Sequence, residues 1–197
     1  RMYLGLDGNV INNSNHMGPL AIGVPGTVAG LWKAHQALGS LPWEDLVAPA
    51  VKLAREGIPI SYDLYSGFAR SKNRFDNYPS TAAKFFRPDG SLYELGEIWR
   101  QPDLAHTLEL IQEQGHDGFY QGENAKRLAD FMAANGGLIT EHDLAKYEAV
   151  EREPIRGSYR GYEIVSMPPP SSGGVALVEM LNILEGFELA EMGHNSA

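Results

Sequence analysis

Tyr159-Arg160-Gly161-Tyr162-Glu163-Ile164-Val165-Ser166-Met167-Pro168-Pro169-Pro170-Ser171-Ser172-Gly173-Gly174 decides how this chain folds. Tyr162 to Met167 has β-strand composition, and so does Val150 to Ile155 before it. The two read as an antiparallel pair joined through Gly157-Ser158-Tyr159-Arg160-Gly161. Three consecutive prolines end the second strand, since proline donates no ladder hydrogen bond. Ser171 or Ser172 then reads as the cap of a helix running to about Glu185, with Val175, Leu177, Val178, Leu181 and Leu184 on its buried side and Gly186 as its stop.

Upstream of this strand–helix unit the periodicity is helical. A helix follows Pro25-Gly26-Thr27, with Val28, Leu31, Trp32, His35 and Leu38 near one face and Gly39 placed for a left-handed C-cap. A second runs from about Trp43 to Glu56 on a stripe of Leu46, Ala50, Leu53 and Ala54, and Pro49 implies a kink or two abutting helices. Ser61 to Phe86 reads as short helical pieces rich in aromatic and basic residues. Arg87-Pro88-Asp89-Gly90 is a turn. Pro102 suits the first position of a helix to about Gln114, buried through Leu104, Thr107, Leu108 and Ile111. A further helix spans about Ala125 to Ala134, and Thr140-Glu141-His142-Asp143 resembles a capping box opening a short helix through Tyr147. The expected organisation is therefore α+β: a mainly helical layer over residues 1–148, then a strand pair and helix over residues 149–197.

The 197 residues suit one domain or part of a larger one. With 25 acidic against 16 basic side chains and a formal charge of −9, the chain is no general nucleic-acid binder. Its apolar runs fall far short of the roughly 20 residues of a membrane helix. Zero cysteines exclude a disulfide scaffold, a thiolate zinc site and a cysteine nucleophile. Arg1-Met2-Tyr3 begins without a basic, apolar leader. At the other end Asn195 or Ser196 reads as an N-cap with no helix after it, so the chain is expected to be cut from something longer.

Candidate chemistry is sparse. His16, His35, His106, His116, His142 and His194 are scattered without metal-ligand spacing, and His116-Asp117 reads as surface polarity in a glycine-flanked loop. Arg70, Ser71, Lys72 and Arg74 read as a solvated face. Gly23-Val24-Pro25-Gly26-Thr27-Val28-Ala29-Gly30 lacks the lysine of a P-loop and reads as close helix–strand packing. The turn from Pro168 to Gly174 could present free N–H groups to an anion, or could simply be a tight strand-to-helix crossover.

Together these segments resemble the γ-glutamyltransferase family. Gly23 to Gly30 is similar to its V-P-G-T-V-A-G stretch. Leu41-Pro42-Trp43 through Pro49-Ala50 to Leu53-Ala54-Arg55-Glu56-Gly57 resembles the next segment. Gly136-Gly137-Leu138-Ile139-Thr140 with Asp143-Leu144 and Tyr147 resembles a third. Tyr159-Arg160-Gly161-Tyr162, Ser166 to Gly174 and Leu181-Asn182-Ile183-Leu184 resemble the family's large chain. The resemblance implies the middle of the large subunit of an N-terminal nucleophile hydrolase, an αββα sandwich that is incomplete here. It implies a precursor that cuts itself in two, so that a small subunit with a new N-terminal threonine is the partner. That threonine would attack the γ-glutamyl amide of glutathione and pass the acyl group to water, an amino acid or a peptide. Thr27, Thr81, Thr107 and Thr140 do not match the Thr-Thr-His cleavage motif, and the Arg-Glu-x-Ala-Pro stretch that grips the substrate carboxylate would end just before Arg1. No catalytic residue is therefore assigned in this chain, nor any cofactor or metal, and the segment alone is expected to be inactive. The family also implies a periplasmic or secreted setting. A cephalosporin or glutaryl acylase of the same fold and a non-catalytic helical interaction module are the alternatives.

Overall fold

The computed structural model describes residues 2–195; the readings of Arg1 and Ser196 lie outside them. The chain divides into two compact units between Ala149 and Val150. After a turn-rich opening, the first unit contains α1 (Thr27–Leu38), α2 (Trp43–Glu56), β1 (Ile58–Pro59), α3 (Tyr62–Phe75), α4 (Pro79–Phe85), β2 (Ile98–Trp99), α5 (Pro102–Gln114), α6 (Asp117–Tyr120), α7 (Gly122–Ala134) and α8 (Glu141–Ala145). The second contains β3 (Ile155–Tyr159), β4 (Tyr162–Ser166) and α9 (Gly173–Glu185). The mainly helical portion with a C-terminal strand pair and helix is thus the observed arrangement.

The helices lie where periodicity places them, but their buried faces differ. In α1 the buried residue is Ala29, while Leu31 and Leu38 are exposed, Leu38 at 86%. In α2 the face turned inward carries Trp43, Val47, Val51 and Ala54, leaving Leu46 and Leu53 outside. In α5 Ala105 and Ile111 are buried and Leu104 is exposed. The reason is close approach: where small residues meet a neighbour, leucines beside them overhang into solvent. α2 and α5 pack antiparallel. Trp43 Nε1 donates to Ile111 O at 2.9 Å, Gln112 Nε2 to Glu44 O at 3.0 Å and Gln101 N to Ala54 O at 2.9 Å. α2 passes exposed Pro49 as one helix, not two abutting ones. Gly39 is extended, at φ −68° and ψ 137°, instead of left-handed. Its missing Cβ matters because the His35 ring and carbonyl press against it.

One core of the first unit gathers Ala29, Tyr120, Ala125, Met132, Ile139 and Leu144. Its centre is α6, in a segment read as surface loop. Tyr120 is fully buried; its hydroxyl donates to Pro25 O at 2.6 Å and accepts from Ala29 N at 3.2 Å. α7 begins three residues earlier than periodicity suggests, at Gly122. α8 stops at Ala145, short of Tyr147. It opens with the expected capping box: Asp143 N donates to Thr140 Oγ1 at 3.2 Å and Thr140 N to Asp143 Oδ2 at 2.9 Å.

A second core forms entirely within residues 58–99, from Ile60, Phe68, Phe86 and Trp99 with Phe75 and Phe85 beside them. Phe68 and Trp99 meet edge to face with ring centres 5.1 Å apart. β1 and β2 close this module at its neck, pairing Ile58 with Trp99 and Pro59 with Ile98. Ile60 N donates to Glu97 O at 2.8 Å and Gly96 N to Ile60 O at 2.9 Å. Neither strand is foreseen in the sequence, because two residues each are too short to show a period.

In the second unit β3 and β4 pair from Ile155↔Ser166 to Tyr159↔Tyr162. The first strand therefore starts where Val150–Ile155 was expected to end, and Val150 is 72% exposed. A two-residue turn of Arg160 and Gly161, both at positive φ, fixes this register. Five residues back from that turn the ladder ends beside Pro154, which has no N–H to contribute. Arg160 accepts the unusual φ of 48° because its N–H donates to Glu185 Oε1 at 2.7 Å and its guanidinium to Phe187 O at 2.7 Å. A Cβ at Gly157 would stand 2.7 Å from Val178 Cγ1, so glycine is what lets α9 seat on the strands. Val178 and Leu181 are half-buried there, but Val175, Leu177 and Leu184 are exposed. α9 has more apolar surface than two strands can cover. Ser172 makes no side-chain cap, and Asn195 is left-handed at φ 54° instead of extended as an N-cap would be.

Two predictions follow from the packing. In hydrogen exchange, amides of the 58–99 module, including those of Ile60 and Gly96, should share one opening free energy distinct from that of the Tyr120 core. Exchange of both sets in a single step under all conditions would contradict separate cores. Tyr120→Phe keeps the ring and leaves Pro25 O and Ala29 N without partners, so chemical denaturation should show a loss of about 1–3 kcal/mol. Burial raises the Tyr120 pKa. The stability it contributes is complete below the unfolded value of about 10 and is lost as pH rises through the raised one. The variant should lose that alkaline dependence.

Candidate functional site

Two glycine-rich turns carry the most specific sequence signals, and each feeds a helix. After β4 the chain passes a cis Pro169-Pro170 bond, and Ser171 N donates to Pro168 O at 3.2 Å. Ser171 Oγ accepts the Gly173 N–H at 3.4 Å, and Ala176 N begins the helical ladder by donating to Ser172 O at 3.0 Å. Gly174 is buried with the Met167 carbonyl directly against its α-carbon, where any Cβ would collide. The geometry is that of a tight crossover in which glycine brings the helix onto the strand end.

The turn at Pro25-Gly26-Thr27 is built differently. Gly26 has no side chain to cap α1, and the Tyr120 phenol takes over that role by accepting the Ala29 N–H. Tyr147 stacks on Tyr120, ring centres 5.6 Å apart and planes 12° from parallel, and its hydroxyl fills the space a Cβ on Gly26 would need. His116 also stacks on Tyr120, with ring centres 4.4 Å apart. It is part of the core wall, with a side chain only 25% exposed, and surface polarity is too simple a reading for it. Sequence reasoning missed Tyr120; the available signal was a helix start with glycine at its cap position.

The other candidates are dispersed. Thr27 opens α1, Thr81 lies in α4, Thr107 Oγ1 donates to Asn124 Oδ1 at 3.3 Å and Thr140 caps α8. His35 Nε2 is 2.8 Å from Leu41 O between Trp32 and Trp43; His106 Nε2 is 3.1 Å from Glu123 Oε1. His16 lies in the opening loop, His142 in α8 and His194 after α9, and no three metal-capable side chains come together among the described residues. In the basic run, Lys72 is more than a solvated charge: it bonds Asp76 at 2.9 Å and lies 4.8 Å from the Phe86 ring centre. Among the described residues no helix is long and apolar enough to cross a membrane.

Known proteins match the chain across both turns and the stretch between them. The gamma-glutamyltranspeptidase family matches residues 1–197. A glutathione hydrolase proenzyme from Escherichia coli is 43% identical over 197 residues, covering 100% of this chain and 34% of the relative. An acylase ACY 1 proenzyme from Pseudomonas sp. is 40% identical, covering 98% of this chain and 34% of that protein. The crystal structure of Helicobacter pylori gamma-glutamyltranspeptidase superposes with a TM-score of 0.96 at 41% identity, over 100% of this chain and 56% of that one. The chain thus spans about a third of the length of the curated relatives it matches, and it has the fold of the corresponding part of the N-terminal nucleophile hydrolase sandwich. It belongs to the gamma-glutamyltranspeptidase family.

Proposed function

We propose that this chain is the middle of the large subunit of a γ-glutamyltransferase that cleaves the γ-glutamyl amide of glutathione. The observation that carries the reading is the match along the whole chain to a glutathione hydrolase proenzyme at 43% identity. In the whole protein, self-cleavage of the precursor would free an N-terminal threonine on a small subunit. Its hydroxyl would attack the γ-glutamyl carbonyl, with its own α-amine taking the proton, and the amine of cysteinylglycine would leave. Backbone N–H groups would stabilise the oxyanion, and water or an amine would then discharge the acyl-enzyme. This chain contributes scaffold and no nucleophile. Residues 149–197 would join the sandwich core, which accounts for the bare apolar residues on α9. A periplasmic or secreted setting belongs to the same reading.

The acylase relative makes the same fold with glutaryl-type specificity the second reading. Expression of the full coding sequence separates the two. The precursor should yield two chains, and replacing the new N-terminal threonine by alanine should abolish turnover. γ-Glutamyl-p-nitroanilide should be cleaved at least about tenfold faster than glutaryl-p-nitroanilide, a difference of some 1.4 kcal/mol in transition-state binding. The reverse preference would favour the acylase, and an uncut, inactive product would sink both. Residues 1–197 alone should show no turnover of either substrate.

A further inference from the structure

Where the 58–99 module meets the opening loop and the end of α7, the first unit has a cleft of about 660 Å³. That lies within the roughly 300–1,000 Å³ of small-molecule sites, which favour the junctions between separately cored parts. The module supplies Arg74, Phe75 and Tyr78, the opening loop His16 and Ile22, and α7 Phe131. No aspartate or glutamate lines this cleft, although the chain carries 25 of them. The Arg74 guanidinium lies 5.5 Å from the Phe75 ring centre and has no carboxylate partner among the described residues. Its neighbour Lys72 is instead neutralised by Asp76. A cation held against an aromatic wall, in a carboxylate-free cleft of an acidic protein, is complementary to one anionic and apolar ligand.

We propose that this cleft binds a small carboxylic acid bearing an aromatic or branched apolar group. The carboxylate would take the fork of Arg74 N–H donors, with the His16 ring as a further polar neighbour. The apolar group would lie against Phe75, Phe131 and Ile22. The probe keeps binding in this cleft apart from the turnover proposed above. N-acetyl-L-phenylalanine has a blocked amine, so it has no nucleophilic nitrogen to discharge an acyl-enzyme.

The test is calorimetric titration of the full-length protein with N-acetyl-L-phenylalanine and with its uncharged amide. The acid should bind about tenfold more tightly than the amide. Arg74→Gln should erase that preference without weakening the amide, Arg74→Lys should keep part of it, and Phe131→Ser should weaken both ligands. Equal binding of acid and amide, or a preference that survives Arg74→Gln, overturns the proposal. So does the absence of saturable binding, because the remainder of the protein would then fill the cleft.

Discussion

The Tyr120 hydroxyl joins the Pro25 carbonyl to the Ala29 amide, and the rest of the first unit's main core is arranged to keep it there. Both partners are backbone groups at the start of a helix whose own cap residue is glycine, so without the phenol a buried N–H and a half-buried C=O would lose their partner. The demand propagates outward. Gly118 must be glycine for α6 to press its backbone onto that of Leu110 and Ile111. Asn124 then ties α7 to α6 by donating to Gly118 O at 2.7 Å. Tyr147 and His116 both stack on the ring. Four helices, α1, α5, α6 and α7, are thereby positioned relative to one oxygen atom.

Against that polar centre stands one built mainly of aromatic rings. Within residues 58–99, Phe68, Phe75, Phe85 and Trp99 pack ring on ring, and Trp99 Nε1 donates to Lys84 O at 3.0 Å. The α2–α5 pair on which the module stands makes its own hydrogen bonds below the neck. Specificity in one core comes from hydrogen-bond geometry and in the other from ring shape, which explains how two cores share one unit without merging.

The sequence shows what is local. Helix starts marked by Pro102 and by Thr140 with Asp143, and the stop at three prolines, are legible because proline stereochemistry and capping act within four residues. The buried faces are less so: a leucine beside Ala29, Ala54 or Ala105 looks like core by periodicity, but the closest approach of two helices belongs to the alanine. The hairpin register was misplaced because strand composition extends from Val150, whereas the two-residue turn at Arg160-Gly161 sets the pairing. Tyr120 and the neck strands depend on partners 39 to 95 residues away, a separation that no window of sequence contains. The family was legible because several segments, taken in chain order, resemble its motifs. The catalytic chemistry was not, because Thr27, Thr81, Thr107 and Thr140 do not match the Thr-Thr-His motif that the resemblance implies.

The neck of the module has an entropic corollary. Ile58 and Trp99 face each other across a strand pair, so the chain leaves and re-enters the α2–α5 body within about 5 Å. To that body the whole excursion is a closed loop, and the entropy of closing a loop grows only logarithmically with its length. Insertions or deletions between the neck strands therefore change the closure term by a few tenths of a kcal/mol, provided the aromatic cluster survives. Of all places along this chain, the stretch above the neck is where length can drift most freely while α2 and α5 remain in register.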